Sequence, residues 1–384
     1  MQALVAHPTE PDTIFVATTN GLFRSTDGGD NWTAINSGIT ITDVTHLVID
    51  PVTPTTLYAA SSKTVYKSTN GGDTWVPSYT TPYPIHALVL APSTSTTVYV
   101  ANYDGVYKTV NGGTNWTFAG LYNYDVRELA VDPTTATTVY AGTWGGGIYK
   151  STNSGGNWAS VSSNWYVFSL VMAPTIPATL YAGTNQGVQR SMNAAGSWTV
   201  VNSAGTSVSA LAINPAIPTT LYANIYNNSV YKSANSGDTW TQVGTDELIF
   251  KSVQTLAVNS AVPATVYAGL AGHGTYAMRQ ITYPAPTLTD LSPDHAHTDD
   301  LAVTLTLTGT DFAAGSVVKW DTTALVTTYI SATQLTAAVP ALALSAPRGI
   351  SITVFNPAPG GGTSGALKFT VTYPYAIYLP CLAR

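Results

Sequence analysis

Ser68-Thr69-Asn70-Gly71-Gly72-Asp73-Thr74-Trp75 decides the fold. The same phrase recurs as Ser25 to Trp32, Thr109 to Trp116, Ser151 to Trp158, Ser191 to Trp198 and Ser233 to Trp240, with the tryptophans 40–43 residues apart. Its chemistry is that of a tight turn. Asn or Asp at the third position hydrogen-bonds its own downstream backbone and tolerates a left-handed conformation. Glycine two residues later supplies a positive φ. The tryptophan then enters an outer strand and is expected to pack against the hairpin.

A second phrase opens each unit, at Leu4, Leu47, Leu88, Leu129, Leu170, Leu211 and Leu256, and a proline follows soon after all but the last. Between the two phrases lie short runs such as Leu57-Tyr58-Ala59-Ala60 and Val65-Tyr66-Lys67-Ser68. Each unit thus offers four short runs rich in β-branched and aromatic residues, separated by Gly, Pro, Asn and Thr turns. That pattern reads as strands. Four strands in each of seven units of about 40–45 residues is the arithmetic of a seven-bladed β-propeller.

The turn phrase resembles the Asp-box of the BNR-repeat propellers, a family that includes sialidases, xyloglucan-cleaving endoglucanases, sortilin-like receptors and photosystem II assembly factors. The resemblance covers about the first 280 residues. It implies the fold strongly and leaves the function open. It also places the boxes on the face away from any ligand site.

After Tyr283-Pro284-Ala285-Pro286 the repeat stops. Alternating runs follow at 301–307, 316–320, 324–330, 350–355 and 367–371, which suits an antiparallel sandwich. Leu291-Ser292-Pro293, Gly309-Thr310-Asp311-Phe312, residues 333–340 and Asn356-Pro357 resemble the IPT/TIG immunoglobulin-like family. The expected organisation is an all-β chain: a propeller over 1–283, an Ig-like β-sandwich over 284–373 and a short tail over 374–384. Such sandwiches are usually spacers or binding modules, which implies an extracellular or cell-surface setting and a monomer.

Composition narrows the functions. Hydrophobic residues make up 45% of the 384 and charged residues 9%, against about 25% charged in an ordinary soluble domain. No apolar run reaches the roughly 18 residues of a spanning helix. The 23 Tyr, 9 Trp and 8 Phe argue against disorder. With 14 Lys plus Arg, a net charge of −6 and no basic cluster, nucleic acid is not an expected partner. A lone cysteine, Cys381, rules out an internal disulfide framework. Met1 to Val5 shows no signal peptide. The first repeat begins inside its first strand and the seventh has no Trp phrase. Either Gln280 to Tyr283 acts as an altered outer strand, or upstream sequence completes the ring and carries the signal.

Function is sought where the repeats differ. The position two residues before each opening leucine reads Gln2, Thr45, His86, Arg127, Phe168, Ser209 and Gln254. The richest sector adds Tyr103, Asp104, Tyr122, Tyr124, Asp125, Glu128, Trp144, Trp165 and Tyr166. Flat rings beside a few polar groups suit sugar rings or an extended peptide. The expected ligand-binding set is His86, Tyr103, Asp104, Tyr124, Asp125, Arg127, Glu128, Trp144, Trp165 and Tyr166, facing a polysaccharide or protein. Tyr122 is expected to pack over its loop.

No complete catalytic set is present. By the resemblance, a sialidase needs three arginines about a carboxylate. Arg24, Arg190 and Arg279 instead occupy the repeat position of Lys67, Lys108, Lys150 and Lys232, which leaves Arg127 alone. Asp104 and Asp125 are the candidates for a glycoside hydrolase pair. An inverting pair needs about 6.5–9.5 Å between its carboxyls. A purely structural scaffold is the third reading. No cofactor or metal is expected: His7, His46, His86 and His273 are scattered, and His295-Ala296-His297 beside Asp294, Asp299 and Asp300 reads as a solvated loop.

Overall fold

The computed structural model describes residues 1–162, 164–175, 178–202, 207–225, 229–243, 253–259, 265–271, 274–279, 284–313, 315–356 and 361–374. Two compact units divide the chain, Met1–Arg279 and Gln280–Arg384. The expected altered strand at 280–283, His273, Cys381 and the tail from 375 lie outside the described residues.

The first unit is seven antiparallel sheets, each in simple sequence order. Blade 2 is representative, with strands Val44–Ile49, Leu57–Ser61, Thr64–Ser68 and Val76–Thr80 from inside to outside. Blade 7 shows three strands among the described residues, Val253–Val258, Thr265–Leu270 and Gly274–Arg279. The second strand of blades 2 to 7 is buried along its whole length. Both of its faces meet a neighbouring blade, so it reads as a continuous apolar run. Tyr58, Tyr99, Tyr140, Tyr181, Tyr222 and Tyr267 occupy one repeated position there and are at most 1% exposed.

The cores lie between blades. Ala130, Tyr140 and Ile148 of blade 4 pack against Val167, Leu170, Leu180 and Ala182 of blade 5. Burying each such leucine or valine contributes about 1.5–3 kcal/mol. The ring closes where Leu4, Ile14 and Val16 of blade 1 meet Tyr267 of blade 7, and Asn259 Nδ2 donates to the Pro11 carbonyl across the seam.

The boxes fold as their sequence dictates. Ser68 Oγ donates to Asn70 Oδ1 and accepts from the Gly72 N–H, while Asn70 Oδ1 accepts from the Thr74 N–H, all at 2.9–3.0 Å. Gly72 has φ +92°. In blade 5 alanines stand where blades 2 and 3 have glycines, and Ala194 is held at φ +56°. An L-residue there is strained by about 1–2 kcal/mol. Ala194→Gly is therefore expected to raise stability by about 0.5–1 kcal/mol, net of the extra chain entropy of glycine, read as a higher urea midpoint.

One expectation is corrected. The box tryptophans do not pack chiefly on their own hairpins. Trp75, Trp158, Trp198 and Trp240 donate Nε1–H to Ile35, Ala119, Val161 and Val201 carbonyls of the preceding blade. Trp32 differs: it donates to the Gly29 carbonyl within its own box. The basic column runs the opposite way around the ring. Arg24, Lys67, Lys108, Lys150 and Arg190 each donate to a carbonyl in the next blade's box, at 2.7–3.1 Å. Few as the charges are, many serve to join blades.

The second unit is a sandwich. One sheet holds Thr287–Ser292, Ala302–Thr310, Gln334–Pro340 and Val326–Ser331 in that order. The other is built on Leu367–Thr372, Arg348–Asn356 and Val317–Trp320. Leu305, Leu335, Ile352 and Phe369 are fully buried between them. His295–His297 is not a loop but a short strand, paired parallel to Leu367–Thr372. Backbone pairing accounts for its geometry.

Candidate functional site

The varied column of the sequence has a structural cause. In blades 2, 4, 5, 6 and 7 the register of the inner strand shifts by one residue at that position, for example between Val126 and Glu128. The extra residues are Thr45, Arg127, Phe168, Ser209 and Gln254. A β-bulge takes its extra residue out of the ladder register and re-aims its side chain. Those side chains are thus released from the blade-to-blade packing that makes neighbouring positions uniform.

Arg127 is the centre of the most connected group. Its Nη2 donates to Asp125 Oδ2 at 2.8 Å and to the Tyr103 hydroxyl at 3.1 Å. The guanidinium stands over the rings of Tyr103 and Trp144, 5.3 and 5.1 Å from their centroids. The other Asp125 oxygen lies 3.1 Å from His86 Nδ1. Burial, and then the charge of Arg127, hold the His86 imidazole below its ordinary pKa. The His86 ring meets Tyr103 edge-on at 4.5 Å. His86, Asp125 and Arg127 thus come from two neighbouring blades and largely satisfy one another.

Trp144 is fixed by backbone as well as rings. Its N–H donates to the Asp125 carbonyl at 2.9 Å, and Gly145 and Gly147 donate to the Trp165 carbonyl at 3.1 Å. Gly145 has φ +87°, which lets the blade 4 hairpin turn down onto blade 5. Trp144 then meets Tyr166 and Phe168 edge-on, at 5.0 and 5.7 Å. Tyr103, Trp144 and Tyr166 stay 48%, 50% and 40% exposed. Among the described propeller residues, every exposed aromatic falls between Tyr83 and Tyr166. That concentration in one sector is what repeat geometry alone would not produce.

The other expected residues divide. Tyr124 is exposed and touches Tyr149 edge-on. Asp104 belongs to its own hairpin: it accepts from the Tyr107 hydroxyl at 2.8 Å, and its N–H is bound by Asn102 Oδ1. Burial, and then Asp104, push the Tyr107 phenol upward. Asp104 and Asp125 share no partner. Trp165 is buried, not presented: it is 7% exposed and packs edge-on against Trp198. Tyr122, expected to pack over its loop, is instead well exposed beside Phe118.

Glu128 does not face outward with Asp125. It is half-buried in the inner strand and accepts from the Leu170 N–H of blade 5. Burial raises its carboxyl to about 8. The equivalent Ser169 accepts from the Leu211 N–H, and His46 Nε2–H donates to the His86 carbonyl at 2.7 Å. This column joins inner strands of adjacent blades. Phe168 and Tyr83 were not in the expected set. Phe168 was legible from the varied column; Tyr83 carried no signal beyond being aromatic.

The opposite ends of the inner strands line an apolar cavity of about 360 Å³, among them Pro92, Pro133, Pro174 and Pro215. It offers no side-chain hydrogen-bonding group. Among the described residues no three of His, Cys, Asp and Glu converge as a metal site, and no helix is long and apolar enough to cross a membrane.

Residues 286–371 match the model of the IPT/TIG domain. No curated protein sequence matches the chain. Among solved structures, the GH74 xyloglucanase of Xanthomonas campestris is similar at a TM-score of 0.63 and 15% identity, over 81% of this chain and 58% of that one. The chain therefore spans little more than half of that enzyme's length. The GH74 enzyme of Niastella koreensis gives 0.61 and 16%, over 94% and 67%. YCF48 from Cyanidioschyzon merolae gives 0.56 and 14%, over 72% and 94%, and YCF48 has also been solved bound to D1 peptide. At these identities the likeness is one of fold. The chain is an all-β protein in which a propeller of seven antiparallel blades is followed, at residues 286–371, by an IPT/TIG domain.

Proposed function

We propose that the propeller is a non-catalytic recognition module of the cell surface or exterior, and that Tyr103, Trp144 and Tyr166 bind an extended neutral polysaccharide. The observation that carries this reading is the exposed aromatic shelf built around a set of charges that already neutralise one another. Arg127 is held by Asp125, and Asp125 by His86 and Arg127. The shelf therefore offers flat faces and hydroxyls with little free charge. Sugar rings match it, since their C–H faces stack on aromatics and their hydroxyls seek isolated polar partners. Asp104 adjoins Tyr103 in the chain, and Tyr124 adjoins Asp125.

Trp144→Ala with Tyr166→Ala is expected to weaken a glycan found on an array by roughly a hundredfold, about tenfold for each ring, a size in keeping with lost stacking and buried area. Titration calorimetry with that glycan reads the change. Unchanged affinity in a folded double variant would discard the shelf as the site. A protein ligand is the second reading; the D1-peptide complex of a protein with a similar fold favours keeping it, and binding of a peptide array in place of glycans would establish it. Turnover of a polysaccharide, abolished by Asp125→Asn with the fold intact, would establish the hydrolase reading instead. Against that reading, both Asp125 oxygens are engaged and Asp104 serves Tyr107.

A further inference from the structure

The IPT/TIG unit carries a second cavity, of about 420 Å³, at one end of its sandwich. Its walls include Trp320, Leu325, Val339, Pro340 and Ala343, and Arg348 stands in its lining as the one basic residue. The topology explains the place. The strand ending at Pro340 pairs with the strand beginning at Ala302. The turn Ala341–Leu344 then leads across to the strand that starts at Arg348 in the other sheet.

Three observations at this end point to a ligand. Leu301, Leu342 and Val326 are 88%, 84% and 80% exposed, the three most exposed large hydrophobic residues among those described. Val326 lines the cavity, and the other two adjoin its lining residues Ala302 and Ala343. Trp320 is 4% exposed, yet its indole N–H has no acceptor. Arg348 is exposed and its guanidinium makes no ion pair or hydrogen bond among the described residues. A chamber apolar but for the Thr323 hydroxyl, with an apolar rim, one unpaired cation and one unused indole donor, has a definite complement. That complement is an apolar body carrying a single anionic head.

We propose that this cavity binds an acyl carboxylate, with the chain among Trp320, Leu325, Val339 and Ala343 and the carboxylate on Arg348. The rim leucines cover the part of a longer chain that the cavity does not hold. The volume lies within the range of about 300–1,000 Å³ usual for small-ligand pockets. The site is independent of the propeller shelf, so either proposal can fail alone.

The test titrates the full chain with decanoate and with decanol by calorimetry and by NMR. Decanoate is expected to bind saturably at one equivalent, and decanol at least about tenfold more weakly, the loss of one charge-assisted contact. Arg348→Gln should weaken decanoate by a similar factor and leave decanol unchanged; Arg348 is exposed, so the variant should fold. Ala343→Trp, which fills the chamber, should abolish both, with thermal unfolding as the folding control. Absence of saturation, or equal affinity for decanoate in Arg348→Gln, would overturn the proposal. So would binding to phosphatidylglycerol vesicles without binding to decanoate, which would mark a membrane-docking surface. Binding that appears only after deletion of residues 375–384 would also overturn it, since the chain's own end would then be the occupant.

Discussion

Trp75→Ala is expected to destabilise the propeller by about 3–5 kcal/mol, the usual cost of deleting a large buried aromatic. Trp75 is 2% exposed and sits in a core made jointly by blades 1 and 2, with Phe15, Ile35 and Tyr66. Its indole N–H donates to the Ile35 carbonyl at 2.9 Å, and its backbone N–H to the Ser37 carbonyl at 2.8 Å. The blade 1 chain passes so close that a Cβ at Gly38 would collide with the Trp75 carbonyl. Neighbouring backbone is thus shaped to the tryptophan and cannot easily collapse into the space it leaves. Trp32 makes the control. It is half-buried and bonds to its own box, so Trp32→Ala should cost about half as much. Urea unfolding of both variants reads the difference. Equal losses would refute the view that the box tryptophans stabilise the ring by joining blades.

Glu128→Gln is expected to stabilise the protein at pH 8 by about 2–4 kcal/mol and to change little at pH 4. The carboxyl is raised from 4.5 to about 8 by its burial between blades 4 and 5. Above about pH 4.5 the unfolded chain releases this proton while the folded chain keeps it. Stability from this group therefore falls as pH rises from 4.5 towards 8, and is level beyond. Linkage sets an upper limit of about 5 kcal/mol, and residual solvent contact lowers the effective figure. Glutamine keeps an oxygen for the Leu170 N–H and cannot ionise. The check is the difference between the two proteins' stability–pH profiles. Parallel profiles between pH 4.5 and 8 would show that the Glu128 carboxyl titrates normally.

The blades were legible because their information is local. Ser68, Asn70 and Gly72 make their hydrogen bonds within one another's reach, and the residues at the equivalent positions do so in the other boxes. No long-range contact is needed to form such a turn, so its residues recur wherever it recurs. The sandwich strands were legible for a related reason. In Ala302–Thr310, Gln334–Pro340 and Arg348–Asn356 one face is buried and the other is wet, which writes a period of two into the sequence.

The site was legible only in part. Arg127 stood out because a bulge frees its position from the repeat. Asp125, two residues away, follows it. That His86, 39 residues earlier, would engage the other Asp125 oxygen depends on the angle between two blades. Trp144 and Trp165 look alike in sequence, each beside small or polar neighbours. Their fates differ because Gly145 and Gly147 fold the Trp144 hairpin over the Trp165 backbone, leaving one ring outside and the other beneath. Glu128 adjoins Arg127, yet strand alternation past the bulge sends it between blades.

By itself the sequence determined the turns, the repeat and the four-stranded pattern of the first six blades. These rest on hydrogen bonds and alternation spanning a few residues. Only the tertiary structure decided which side chains cross from one blade to the next, which carboxylate is neutralised and which is buried, and where the sandwich opens a cavity. Those outcomes turn on distances between segments tens of residues apart, which ring closure and sheet packing set together.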